Sequence, residues 1–180
     1  MKRVLCTVAV LMIAISATAA FAGTAATLTP QQAWDKMINC PVCSAWNQDP
    51  TLGPSLRYEI QSTKSGFIEV MQTADENMKP AFDKAEAECE RRAATIPTMS
   101  AADKDKLCPF CVAHMQLMGK KDIAFDDVKT SNGIVKVGSS STPGGVNVLH
   151  EYAAACAQQS ALIQQASMDM QKQGVQKAKM

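Results

Sequence analysis

The residues best suited to chemistry in this 180-residue chain are its cysteines. Beyond residue 22 there are six: Cys40, Cys43, Cys89, Cys108, Cys111 and Cys156. Four of them form two short motifs, CPVC at residues 40–43 and CPFC at residues 108–111. Two thiols three residues apart can act in three ways. They can cycle between dithiol and disulfide, provided that a helix N-terminus stabilises one thiolate. Two such pairs can supply the four sulfurs of a tetrahedral zinc site. Each sulfur can also cross-link to a distant cysteine and stiffen the fold.

The surrounding residues bear on each choice. CPVC resembles the dithiol motif of thioredoxin-like oxidoreductases over its four residues, which implies a redox-active pair at Cys40 and Cys43. That family carries its motif after a buried parallel strand, whereas residues 34–39 and 103–107 here have helical patterning. A helix opening on CxxC also resembles saposin-like modules, but their all-helical pattern conflicts with the hairpins described below. His114, Met115 and Met118 follow Cys111 at short spacing, and soft sulfur with imidazole suits copper. Met115 and Met118 also fall on an apolar helical stripe, where methionine is ordinary core filler. Neither CxxC is followed by histidine, so the c-type haem signature is missing. His114 and His150 belong to no repeated constellation and are expected at the surface or in single hydrogen bonds. No serine, histidine and acid spacing suggests a hydrolase, and no cofactor motif stands out.

The compartment decides how sulfur behaves. Lys2 and Arg3 precede an apolar run, and Ala20-Phe21-Ala22 offers small residues for cleavage, so residues 1–22 read as a secretory signal peptide that takes Cys6 with it. The run is too short to span about 30 Å of hydrocarbon, which implies a periplasmic or secreted protein without an integral membrane span. The remaining segment loses Lys2 and Arg3, leaving 16 basic against 17 acidic residues, net −1. No basic excess exists to neutralise phosphates, which excludes nucleic acid as a natural partner. An even set of cysteines in an oxidising compartment favours disulfides.

The elements that must position these cysteines come in two copies. Cys40 to Cys108 and Cys43 to Cys111 are steps of 68 residues, and Cys89 to Cys156 is 67. Residues 60–70 align with 128–137, placing Ile60 against Val128, Gly66 against Gly133 and Val70 against Val137; Phe82 then meets Leu149. Each copy reads as helix, hairpin, helix. Thr29 caps a helix with Pro30 at its first position, and Trp34, Ile38 and Val42 form its apolar stripe. Ser100 caps the second copy's helix, with Leu107, Cys111, Met115 and Met118 as its stripe. Ser65-Gly66 and Asn132-Gly133 are the expected hairpin turns. Phe82, Ala85, Cys89, Ala93 and Ile96, matched by Leu149, Tyr152, Cys156 and Ile163, mark the closing helices. Residues 139–145 read as a flexible loop, while Lys120-Lys121 and Asp126-Asp127 read as solvated charges.

The expected architecture is α+β: internally duplicated helix–β-hairpin–helix units, packed about a pseudo-twofold and stapled by disulfides. Its parts are a signal peptide (1–22), repeat 1 (23–95), repeat 2 (96–172) and a flexible tail (173–180). The preferred pairing joins Cys40 or Cys43 to Cys89 and Cys108 or Cys111 to Cys156, with the remaining cysteines bridging the copies. The corresponding function is a non-catalytic binding or structural module for an unidentified protein or small ligand, without a cofactor. A thiol-disulfide oxidoreductase and a thiolate carrier of zinc or copper are the alternatives.

Overall fold

Residues 28–177 are described by a computed structural model; the expected signal peptide, with Cys6, lies outside them. The chain opens with α1 (Pro30–Ile38). Thr29 Oγ1 accepts the Gln32 N–H while the Gln32 side chain accepts the Thr29 N–H, a reciprocal capping box with Pro30 in the first turn. A 3₁₀ turn at Cys43–Asn47 and the short α2 (Leu52–Ser55) lead into the hairpin β1 (Leu56–Thr63) and β2 (Gly66–Thr73). The long α3 (Lys79–Ala93) closes the first half, and a 3₁₀ turn at Ile96–Thr98 joins the halves. The short α4 (Ala101–Lys104) and α5 (Pro109–Met115) then precede a second hairpin, β3 (Ile123–Lys129) and β4 (Gly133–Ser140), and the closing α6 (Pro143–Lys177).

The two hairpins form one antiparallel sheet in the order β1-β2-β4-β3, with β2 and β4 central. With its helices, this makes the chain α+β, as the patterning implies. Period-two alternation decides which side is covered. Tyr58, Ile60, Phe67, Met71 and Ile134 face the helices and join the core. On the opposite face Ile68 and Val128 remain 40% and 52% exposed. At the centre Glu69 of β2 stands opposite Lys136 of β4. Among the described residues no helix is long and apolar enough to cross a membrane.

Both hairpins turn one residue earlier than the sequence suggests. Thr63 pairs with Gly66, and the Thr130 N–H reaches the Gly133 carbonyl at 3.0 Å, so the turn residues are Lys64-Ser65 and Ser131-Asn132. The glycines serve strand contact instead. A Cβ on Gly133 would lie 2.1 Å from the Met71 carbonyl oxygen, and one on Gly66 would lie 2.0 Å from that of Gly138. The register also corrects the alignment of Ile60 with Val128. Ile60 stands opposite Glu69 and Asp127 opposite Lys136, so Asp127 occupies the station of Ile60 in the second hairpin. The hairpins are equal in length, and the one-residue difference between the halves falls before them.

Other expectations change for similar reasons. Residues 139–145 are not a loop: β4 runs to Ser140, and Thr142 accepts the Gly145 N–H at 3.0 Å to start α6. Gly145 is needed there because a Cβ would lie 2.1 Å from Ser140 Oγ. At the other end α6 continues to Lys177, into the stretch read as a tail. Ser100 does cap a helix, accepting the Asp103 N–H at 3.2 Å, but that helix ends at Lys104. The stripe from Leu107 to Met118 is therefore broken, with Leu107 buried and Met118 36% exposed.

Candidate metal centre

Each CPxC segment sits at a break between helices, and the break is local in origin. Proline cannot donate the amide hydrogen that a continuing helix requires, and its ring clashes with the preceding turn. Thus α1 ends at Ile38, Asn39 caps it, and Cys40 precedes Pro41 outside the helix. In the second half Cys108 takes an extended conformation as the N-cap of α5, and Pro109 is its first residue, where no amide hydrogen is missed. The two segments close alike. The Ser44 N–H bonds the Cys40 carbonyl at 3.0 Å, and the Val112 N–H bonds the Cys108 carbonyl at 3.0 Å.

These turns bring four sulfurs together. Cys40 and Cys111 Sγ are 3.6 Å apart, Cys43 and Cys111 3.4 Å, and Cys43 and Cys108 3.3 Å, with all four within 4.8 Å of one another. A disulfide holds its sulfurs at about 2.05 Å, so none of these pairs is at bonding distance. A tetrahedral ion with metal–sulfur distances of about 2.3 Å sets its sulfurs at roughly 3.8 Å. The observed spacing lies much closer to that value. The group is sealed by Val42, Ile96 and Leu107, with Cys40 and Cys108 fully buried.

Hydrogen bonds favour negative charge on one of these sulfurs, that of Cys40. The Cys108 backbone N–H points at Cys40 Sγ at 3.4 Å, and the Cys43 amide also reaches that sulfur. The Cys108 thiol, then those of Cys111 and Cys43, hold the Cys40 thiol far below its ordinary range. The same sharing, led by Cys108, pushes Cys43 and Cys111 up. A cation bound here would displace the protons that these four sulfurs share. A further support comes from α3. Arg92 bonds Ser44 Oγ at 2.8 Å and the Pro41 carbonyl at 3.3 Å, and Glu88 orients its guanidinium at 2.7 Å. Nothing in the sequence pattern pointed to Arg92, because its partners lie 48 and 51 residues away.

The other two cysteines part company. Cys89, half-buried on α3, packs against the cluster, and the neighbouring Cys43 thiol, with Trp46, lowers its thiol. Cys156 sits in a separate core group with Phe67, Leu149 and Tyr152. Burial pushes its thiol up to about 12, and the nearby Glu69 charge adds to this. The preferred cross-links from Cys89 and Cys156 to the CPxC pairs are therefore not formed here. Cys156 lies beneath the sheet beside Tyr58 and Tyr152, whereas both CPxC loops converge on each other. His150 bonds the Thr63 carbonyl at 2.8 Å. The His114 ring meets Tyr152 edge-on, with centroids 6.5 Å apart. Neither histidine belongs to the sulfur group. Comparison with protein-family models, curated proteins and solved structures returns no match to this chain.

Proposed function

We propose that this chain is an exported, non-catalytic module whose two α-ββ-α copies are clasped by one metal ion on Cys40, Cys43, Cys108 and Cys111. The observation carrying this reading is the convergence of four thiols from two CPxC turns within 4.8 Å. The donor set, four sulfurs without nitrogen or oxygen, favours zinc. A closed site without an open coordination position is structural rather than catalytic. Burial of the sulfurs likewise argues for retention over delivery, which disfavours the carrier alternative. With Cys40, Cys43, Cys108 and Cys111 all buried, a substrate thiol or disulfide has little access to the CPxC pairs, which weighs against an oxidoreductase.

The proposed duplication rests on matching details in the two halves. An offset of 67 residues takes Glu69 to Lys136, the facing pair at the centre of the sheet. It also takes Ser65 to Asn132 and Thr73 to Ser140. The Thr73 N–H bonds the Asn132 carbonyl at 2.8 Å, and the Ser140 N–H bonds the Ser65 carbonyl at 2.9 Å. Exchanging the halves converts the Cys40–Cys111 contact into the Cys108–Cys43 contact. One axis passing through sheet centre and sulfur group accounts for all three.

Disulfide staples remain the second reading, because the same contacts would make Cys40–Cys111 and Cys43–Cys108 the natural bridges on oxidation. Cobalt(II) titration of the reduced protein tests the metal reading. It predicts one equivalent bound, with intense thiolate charge-transfer bands and tetrahedral d–d bands. An octahedral spectrum, or no uptake, would reject it.

A further inference from the structure

Cys89 is the most exposed cysteine at the sulfur group; of the four proposed ligands Cys43, at 8%, is the least covered. It projects from α3 onto the side of the cluster formed by Cys43 and Trp46. The corresponding position in the second half, Cys156, is only 1% exposed and packs with Tyr152 and Leu149. The sulfur group thus has an oxidisable neighbour on one side only.

We propose, building on the four-thiolate reading above, that Cys89 and Cys43 form a modification site for hydroperoxides, through which oxidation opens the metal centre. The Cys89 thiol attacks the peroxide O–O bond and becomes a sulfenic acid, and the other peroxide oxygen leaves as an alcohol, or as water when the oxidant is hydrogen peroxide. The Cys43 thiolate then attacks the Cys89 sulfur, forming the S–S bond as hydroxide leaves. Both electrons come from the two sulfurs, and the peroxide is reduced. The metal loses one of four ligands, and the three remaining thiolates hold it less tightly. Among the described residues Cys89 alone of the cysteines outside the ligand set packs against the sulfur group, and Cys43 is the ligand sulfur it interacts with most, which selects the pairing. The first CPxC turn is the half released, while Cys108 and Cys111 keep their arrangement at the start of α5.

The test loads the full chain with zinc, adds hydrogen peroxide and follows release with a chromogenic chelator. Peptide mapping then locates the bridge. Cys89→Ser should slow release by about tenfold or more, since reactivity follows thiol exposure, whereas Cys156→Ser should release like the unaltered protein. A Cys43–Cys89 bridge should appear in step with release. Equal rates in Cys89→Ser and the unaltered protein, or a first bridge within Cys40, Cys43, Cys108 and Cys111, would overturn the proposal. Metal content before oxidation separates the two ideas. If the protein takes up no zinc, the metal reading fails, but the map still decides the pair: Cys43–Cys89 upholds it and Cys43–Cys108 refutes it.

Discussion

At the scale of single residues, two buried groups make the electrostatics measurable. Glu69 is 8% exposed, and burial raises its carboxyl above the usual range more than the nearby hydroxyls and Lys136 lower it. A raised folded-state value means that the associated stability is present below the unfolded value of about 4.3 and is lost as pH rises through the folded value. Glu69→Gln removes that loss. Its unfolding midpoint should gain on the unaltered protein as pH climbs from 4 to 8, and a constant or reversed difference would contradict the argument. Cys156 offers a second check. With its thiol pushed up to about 12, it carries almost no thiolate at neutral pH and should resist iodoacetamide until the chain unfolds. Rapid alkylation in the folded protein would place it outside the core.

At the scale of elements, the decisive features are the close crossing of β2 and β4 and the helix breaks at the CPxC turns. Gly133→Ala forces a methyl group against the Met71 carbonyl and Gln72, a backbone contact that a rotamer change cannot relieve. It should cost about 1–3 kcal/mol or more. Gly53→Ala in α2 meets nothing within 4 Å and should be neutral or stabilising by up to about 1 kcal/mol. Denaturant midpoints of the two variants check the contrast. Much of this level was legible in the sequence. Thr29-Pro30 and Ser100 marked helix starts because caps act within one turn, and the period of two marked all four strands. Long-range approach was not legible. Ser-Gly and Asn-Gly looked like turn residues, yet both glycines are required by a strand from the other hairpin. Ser139 to Gly145 looked like a loop because serine and glycine are locally permissive, while the Gly145–Ser140 contact that demands the glycine is a product of folding.

For the whole molecule, the paired CPxC spacing pointed to the two like units proposed above, but not to the meeting of their four sulfurs at one point. That convergence depends on β2 and β4 pairing with Glu69 against Lys136, and on Arg92 drawing the first CPxC turn toward α3. A clasp between two halves too small to bury large cores of their own should contribute strongly to stability. Cys108→Ser should therefore lower the unfolding midpoint and abolish its sensitivity to chelator, whereas Cys156→Ser should retain that sensitivity. Thermal unfolding with and without a strong chelator separates them. The most direct measurement is native mass spectrometry with a thiol count under denaturing conditions, on protein purified from its native compartment without added reductant. The account predicts one zinc ion per chain and alkylation of Cys40, Cys43, Cys108 and Cys111 once the metal is removed. A metal-free chain lighter by four hydrogens, with those four cysteines joined in two disulfides, would contradict it.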